Sequence, residues 1–476
     1  MQKGFDAPRS GTSFFQPFIG LAFMVESWYD KKRKEARSME KNQIPPQNHQ
    51  SEQITEKTIF FTTGELMTDF AKGREQQVDP LDSAQSLPAL FPQEYQPAVP
   101  QPSGPVTVVT RPQKKKKRKV WPILRIFGKL ILGLVLAIAV LAAGLLGYLT
   151  VTEYNPAYAE LAQRGANSSK ELVKDRRLRI VTFNTGYGAL GEDADFFMDG
   201  GTDVNPLSKD VVEGNMIGIE RILNRVDADL ILLQEVDTDS DRSFHMNQWL
   251  QYEHDLDSYE YETRFALNYS CRYVPYPLKE RIGQVNSGIA TYSRFDITSA
   301  TRYSLPTPFS WPVRTANLKR CFLVTRIPIE DSSQELVVVN LHLEAYDDGE
   351  GKIAQTKQLM DFLQAEYEKG NYVIAGGDFN QTFPGCKDDY PVKSDSEWEP
   401  GLLESLPQDW HYAYDSSSPT CRLLNQPYDP QSRKTQHFVI DGFILSPNVS
   451  LEKVETLNEY FLYSDHNPVA VDIVLN

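Results

Sequence analysis

The chain has 476 residues, 41% hydrophobic and 24% charged, which excludes a fibrous, collagen-like or wholly disordered protein and leaves room for two or three domains. Its net charge of −15 is uneven: residues 1–150 hold 20 Lys and Arg against 13 Asp and Glu (+7), and residues 151–476 hold 29 against 51 (−22). An acidic C-terminal part is a poor general clamp for polyanions, whose binding rests on phosphates neutralised by Lys and Arg.

Residues 1–112 read as a disordered cytoplasmic tail. An apolar run at 14–25 contains Gln16 and Pro17 and is too short to span a bilayer, so it is expected at an interface or packed locally. Between 80 and 112 lie eight prolines among Gln and Ser, a composition that cannot bury enough apolar surface to offset chain entropy. Residues 113–129 form a basic segment with Lys114 to Lys117, Arg118, Lys119, Arg125 and Lys129. Its KKKKRKV resembles a nuclear localisation signal, but beside an apolar run it reads as a topology anchor.

That apolar run, residues 130–151 (LILGLVLAIAVLAAGLLGYLTV), carries no charge over 22 residues. About 20 such residues span a bilayer core, and no polar face is left for a soluble setting. With basic residues before it and Glu153 and Glu160 after it, a single-pass cell-membrane protein is expected, its N-terminus cytoplasmic and its C-terminal domain extracellular. Residues 152–175 would be a stalk, with Ala157-Tyr158-Ala159 resembling a cleavage site.

From residue 176 to the end, strand and helix signals alternate. Apolar or β-branched runs at 178–183, 230–233, 288–292, 321–329, 336–341, 372–375, 438–445 and 468–475 predict eight strands. Helical spacing at 212–226 and 353–367 lies between some of them. The pattern predicts an α/β sandwich of about 300 residues. Cys271, Cys321, Cys386 and Cys421 lack zinc spacing; Cys386 with Cys421 and Cys271 with Cys321 are candidate pairs, free buried thiols the alternative.

Polar residues gather where the predicted strands end: Asn184, Gln234-Glu235, His342, Asp378-Phe379-Asn380 and Ser464-Asp465-His466, with Asp441 inside the apolar VIDGFIL. A single carboxylate there is usually a turn or cap, but six placements in one domain suit the strand-end loops that carry active sites in α/β folds. Asp441 is costly unless paired, and a histidine is the obvious partner. Asn, Glu and Asp oxygens suit a hard cation such as Mg²⁺, and histidine with a carboxylate suits general acid–base work. Together they match metal-assisted hydrolysis of a phosphate ester. No GxSxG, Walker loop or HExxH is present to support a serine hydrolase, nucleotide switch or zincin.

In order, Leu178-Arg179-Ile180-Val181-Thr182-Phe183-Asn184, Leu233-Gln234-Glu235, Asn340-Leu341-His342, Gly377-Asp378-Phe379-Asn380, Ile440-Asp441 and Ser464-Asp465-His466 resemble the motifs of the endonuclease/exonuclease/phosphatase superfamily. That superfamily has the deoxyribonuclease-I-like fold and includes exonuclease III and the sphingomyelinases. The resemblance implies a two-sheet, four-layer α/β sandwich over residues 176–476. It implies Mg²⁺ (or Mn²⁺) on Glu235, with Asn184 and Asp465 contributing directly or through water. It also implies a catalytic His466 paired with Asp441, Asp378 and Asn380 positioning water and a phosphate oxygen, and His342 on the phosphate. His466 and Asp378 both remain candidates for the general base. One departure is Gly186, where some nuclease members carry an acidic residue, which bears on a second metal.

The expected function is therefore a membrane-anchored, Mg²⁺-dependent phosphodiesterase whose substrate is a nucleic acid, a phospholipid or a small molecule, with no stable protein partner. An extracellular nuclease would lean on a patch of Arg281, Arg294, Arg314, Lys319 and Arg320. A sphingomyelinase-like phospholipid phosphodiesterase would lean on the bilayer tether and the aromatic stretch YSLPTPFSW at 303–311. A catalytically silent binding module is disfavoured, since no matched position is altered.

Overall fold

Strands buried on both faces read as continuous apolar runs, and the runs here form strands covered by layers on either side. The computed structural model describes residues 121–476 except 257–260, 348, 394, 395, 397 and 433. The proline-rich tail, the run at 14–25 and the basic residues before 121 lie outside the described residues.

First comes helix α1 (Trp121–Val151), then strands β1 (Ala159–Leu161), β2 (Gln163–Arg164) and β3 (Leu178–Asn184). Helix α2 (Lys209–Val226), β4 (Leu230–Asp237), α3 (Gln248–Asp255), β5 (Glu262–Val274) and β6 (Gly283–Ser293) follow. Next are β7 (Ser299–Ser304), β8 (Cys321–Pro328), β9 (Glu335–His342), α4 (Glu350–Glu368) and β10 (Tyr372–Asp378). Short strands β11 (Gln381–Thr382), β12 (Gly401–Leu402), β13 (His411–Ala413), β14 (Cys421–Arg422) and β15 (His437–Phe438) lead to β16 (Asp441–Leu445), β17 (Val449–Thr456) and β18 (Val469–Leu475).

The described residues form two seven-stranded sheets, ordered β1-β7-β8-β9-β10-β16-β13 and β17-β18-β3-β4-β6-β5-β2. Each is mixed around one parallel pair, β9 with β10 and β3 with β4, and each pair is joined through a helix, α4 or α2. Leu232, Ile289, Leu323, Val338, Ile374 and Phe443 pack between the sheets. Helices α2 and α3 cover the outer face of one sheet, and α4 that of the other. Four layers result, as the sequence resemblance implied.

Sequence and structure differ where polarity interrupts the apolar runs. β5 was missed because it buries Glu262 and Arg264, which form an ion pair within the strand. β17 (VSLEKVET) lies at a sheet edge with its charged face in water. The predicted strand at 438–445 divides in two. Ile440 and Asp441 both donate their backbone N–H to the Thr420 hydroxyl (3.0 and 3.1 Å), so β15 pairs with β14 and β16 with β10. α2 starts three residues earlier than its apolar spacing suggests because Ser208 caps it.

The stalk expected at 152–175 is corrected. These residues lie along the sandwich: β1 extends one sheet at β7, β2 extends the other at β5, and fully buried Leu172 bridges to Ile329. Three backbone pairings within 24 residues leave no free spacer between α1 and the domain. All four cysteines are free and buried, so neither candidate disulfide forms.

Residues from Gly133 onward form one compact unit; of the other, Met1–Leu132, the N-terminal part of α1 is described. Among the described residues, α1 is the one helix long and apolar enough to cross a membrane, over Leu124–Val151.

Beneath the strand ends, Gln234 donates from Nε2 to Asn340 Oδ1 (2.8 Å), joining the two sheets through the core. Asn340 in turn donates to the carbonyls of Leu233 and Ala290 (3.1 and 2.8 Å). Both amides are fully buried. Asn340→Leu, which strips partners from three polar groups, is expected to lower the unfolding free energy of the full chain by about 2–3 kcal/mol in chemical denaturation. An unchanged midpoint would show that this link carries no stability.

Candidate active site

Parallel strands place their carboxyl ends together, and here two such pairs lie face to face. Asn184 ends β3, Glu235 lies near the end of β4, His342 ends β9 and Asp378 ends β10. Register then aligns a row across one sheet: Asp378 stands opposite His342 on one side and Asp441 on the other. The β4–β6 register shifts between Leu233 and Val236, and Glu235 takes a left-handed φ of 54°. A bulge of this kind re-aims a side chain. The Glu235 carboxylate is 26% exposed, while those of Asp378 and Asp441 are buried.

Most predicted site residues are brought into one hydrogen-bonded cluster. His466 Nδ1 pairs with Asp441 Oδ2 at 2.8 Å, and its Nε2 faces Asp378 Oδ2 at 3.9 Å. Asn184 donates from Nδ2 to Asp378 (3.0 Å) and Glu235 (3.3 Å), while its Oδ1 accepts from the Gly186 N–H. Asp378 Oδ1 accepts from the Asn380 N–H (2.8 Å), and Asn380 Nδ2 donates to the Leu343 carbonyl. His342 Nε2 lies 3.4 Å from Asp378 and 3.9 Å from Glu235. Asp465 is set slightly apart. Its backbone carbonyl accepts from Arg422, and its carboxylate is close enough to Glu235 and His466 to feel their charges.

Electrostatically, the cluster is short of positive charge. Burial is the main force raising the carboxyl pKa of Asp465 to about 7, and Glu235 adds to it. Burial likewise lifts Asp199 to about 6. Asp378 is raised too, by burial and then by Asp441. For His466, burial opposes the charged form, but Asp441 outweighs it and the pKa stands well above the ordinary histidine value. Burial, then the charges of Arg320 and His466, hold His342 well below that value.

A divalent cation would relieve this crowding of carboxylates. Single ligand atoms of Asp378, Asp441 and His466 lie within 4.8 Å of one another. The imidazole, however, is already committed to Asp441 at 2.8 Å, so that trio reads better as an acid–base unit. Glu235, accessible and backed by buried Asp465, is the better-suited oxygen donor for a hard cation. Asn184, with its amide nitrogen toward both carboxylates, acts here as the donor that holds them.

The acidic residue absent at 186 has a steric explanation. Gly186 takes φ +51°, and a Cβ there would stand 2.9 Å from Asp465 Oδ1 and 3.0 Å from Leu190 Cβ. Gly186→Asp is expected to lower stability by about 1–3 kcal/mol and to add no second metal equivalent in calorimetric titration. A gained equivalent would reverse that explanation.

Three groups escaped the sequence reading as site residues. Arg422, fully buried, donates to the carbonyls of Gly191 and Ala194 and lies behind Asp465. Its signal, a charge within the apolar Cys421-Arg422-Leu423-Leu424, is the one that singled out Asp441. Tyr346 donates to Asp199 at 3.0 Å. Arg320, read only as part of a basic patch, is buried, has no hydrogen-bond partner for Nε and Nη1, and acts on His342 electrostatically. That patch does not form one surface: Lys319 pairs with Glu153, and Arg294 pairs with Asp227 at the opposite end of the strands.

Two mixed sheets sandwiched between helices, with acidic and histidine side chains at one end, are the deoxyribonuclease-I-like α/β fold. The profile described as "Endonuclease/Exonuclease/phosphatase family" matches residues 181–466, and the chain belongs to this family. Similar solved structures include an endonuclease/exonuclease/phosphatase from Beutenbergia cavernae, at 19% identity over 63% of this chain and 72% of that one (TM-score 0.46). Another is TDP2 from Caenorhabditis elegans, at 16% identity over 63% and 75% (TM-score 0.39). The human Nocturnin catalytic domain with a bound sulfate is similar at 17% identity over 66% and 97% (TM-score 0.39). No curated protein sequence matches the chain.

Proposed function

We propose that the chain is a membrane-anchored, divalent-metal-dependent hydrolase of phosphate esters, with residues 176–476 as its catalytic domain. The observation that carries this reading is the buried Asp441–His466 pair at 2.8 Å, with His466 Nε2 facing Asp378 at 3.9 Å beside the accessible Glu235. Family membership supports the reaction class.

Glu235 and Asp465 would hold Mg²⁺ or Mn²⁺, which when bound offsets phosphate charge. Asp378 Oδ2, its pKa raised by burial, takes the proton of the attacking water. His466, held protonated by Asp441, donates to the phosphate or the leaving oxygen. Neutral His342 and the Asn380 amide contribute uncharged hydrogen bonds, and Asn184 keeps Asp378 and Glu235 in register.

Helix α1 would cross the bilayer in a single pass within Leu124–Val151, with the N-terminus cytoplasmic and the domain on the other side. The apolar side chains exposed along α1, such as Leu130, Leu134, Ile138 and Leu141, support that placement. The nuclease reading loses its main support with the dispersal of the basic patch.

The test is hydrolysis of bis(p-nitrophenyl) phosphate by the full chain in detergent, with Mg²⁺, with Mn²⁺ and with chelator. Chelator-sensitive turnover is expected; turnover unaffected by chelator would remove the metal from the mechanism.

A further inference from the structure

The end of the sandwich that carries the site also receives α1. Leu149, buried, and Leu145 pack on Tyr269, Cys271, Val274 and Val285. Thr150 Oγ1 accepts from the Trp311 indole at 3.0 Å, and Glu153 takes ion pairs from Lys319 (3.0 Å) and Arg314 (3.3 Å). The receiving residues belong to the tip of the β5–β6 hairpin, where Cys271 stands opposite Val285. That tip lies beside the carboxyl end of β4, since Val236 pairs with Gly288 and Asp237 with Ser287. Glu235 is the residue just before this pairing. A helix end seated there, with no free spacer, fixes which end of the domain meets the membrane.

Loops at that same end leave apolar side chains in water. Leu207 and Leu278 are each 83% exposed, and Trp311 is half exposed. Asn205 ties the first two loops together by donating to Glu280 and the Arg281 carbonyl. Arg272, Lys279 and Arg281 are exposed along the β5–β6 hairpin, with Glu280 between the last two, while Arg314 is taken up by Glu153. Residues 124–144, which precede the seated turns, still cover about 30 Å, enough to span a bilayer core.

Resting on the reading above, we infer that the mouth of the site faces the leaflet from which α1 emerges, and that its substrate is the phosphodiester of a phospholipid in that leaflet. Apolar side chains at 207, 278 and 311 enter the headgroup region while Arg272, Lys279 and Arg281 meet lipid phosphates. In the reaction the water oxygen bonds to phosphorus and one P–O ester bond breaks. The departing alcohol oxygen takes the proton from His466, and the water proton goes to Asp378.

The full chain is reconstituted in nanodiscs of phosphatidylcholine with a minority of phosphatidylglycerol, with Mg²⁺ present. Phosphorus NMR should record loss of the lipid phosphodiester resonance. In parallel, Leu278→Trp and Leu207→Trp carry added indoles that should lose most of their emission in discs made with brominated phosphatidylcholine. If both indoles stay unquenched, the facing is overturned. If a soluble diester is cleaved while the lipid resonance persists, the substrate is overturned and the hydrolase reading stands. If quenching occurs but no ester of either kind is cleaved, the hydrolase reading fails and takes the lipid substrate with it.

Discussion

His466→Ala is expected to lower turnover of a phosphodiester by about 10³-fold, the scale of a lost general acid–base group. Its imidazole pairs with Asp441 Oδ2 at 2.8 Å, and the other carboxylate oxygen is buried with no hydrogen-bond partner among the described residues. Removing the ring therefore strands a buried carboxylate as well, and stability should fall by about 1–3 kcal/mol. Asp441→Asn separates the two effects. It keeps the volume and a hydrogen-bonding group, so the fold should stay closer to the parent, yet it removes the charge that holds His466 protonated. Turnover should fall nearly as far, and the double variant should be little worse than either single one, because the pair acts as a unit. Additive losses would mean that Asp441 and His466 work separately.

Divalent metal is expected to stabilise the chain, and Glu235→Gln to abolish that gain. At a hundredfold excess over the dissociation constant the stabilisation is about 2.7 kcal/mol, or about 4 °C in Tm for a domain of this size. The gain should grow with pH. Asp465 titrates at about 7 in the folded chain, above an ordinary carboxyl. Without metal, the folded state therefore binds more protons than the unfolded state between about pH 4 and 7, and stability falls as pH rises through that window. A cation reverses this by favouring the ionised form, so the calorimetric shift should be larger at pH 8 than at pH 5. Activity of Glu235→Gln should fall by two or more orders of magnitude. A metal-induced shift that survives the substitution would move the cation to Asp378, Asp441 and His466.

Much of the sandwich was legible because its central strands, such as LRIVTFN and ELVVVNLH, are apolar on both faces. Strands with buried charge, such as β5, were not. Local pattern cannot distinguish a paired Glu–Arg couple in a core from two residues in water. The site was legible as strand-end chemistry, and Asp441 stood out because a charge in an apolar run needs a partner. Arg422 offered the same signal and went unread. Tyr346 and Asp199, 147 residues apart, have no signal short of the fold itself. Gln234 and Asn340, read only as neighbours of Glu235 and His342, prove to be the polar tie between the sheets. The stalk was misjudged because its strands are two and three residues long, too brief for any periodicity.

The seat of Leu149 bears on how the domain behaves in free solution. A form released by cutting at Thr152 would keep β1 and β2 but vacate the cleft formed by Tyr269, Cys271, Val274 and Val285. That newly bared oily surface would adjoin the loops carrying Leu278 and Trp311, making one adhesive face. Such a fragment should self-associate in dilute buffer and sediment as more than a monomer. Helix α1 would thus also serve as a plug over a face that otherwise sticks to its own kind.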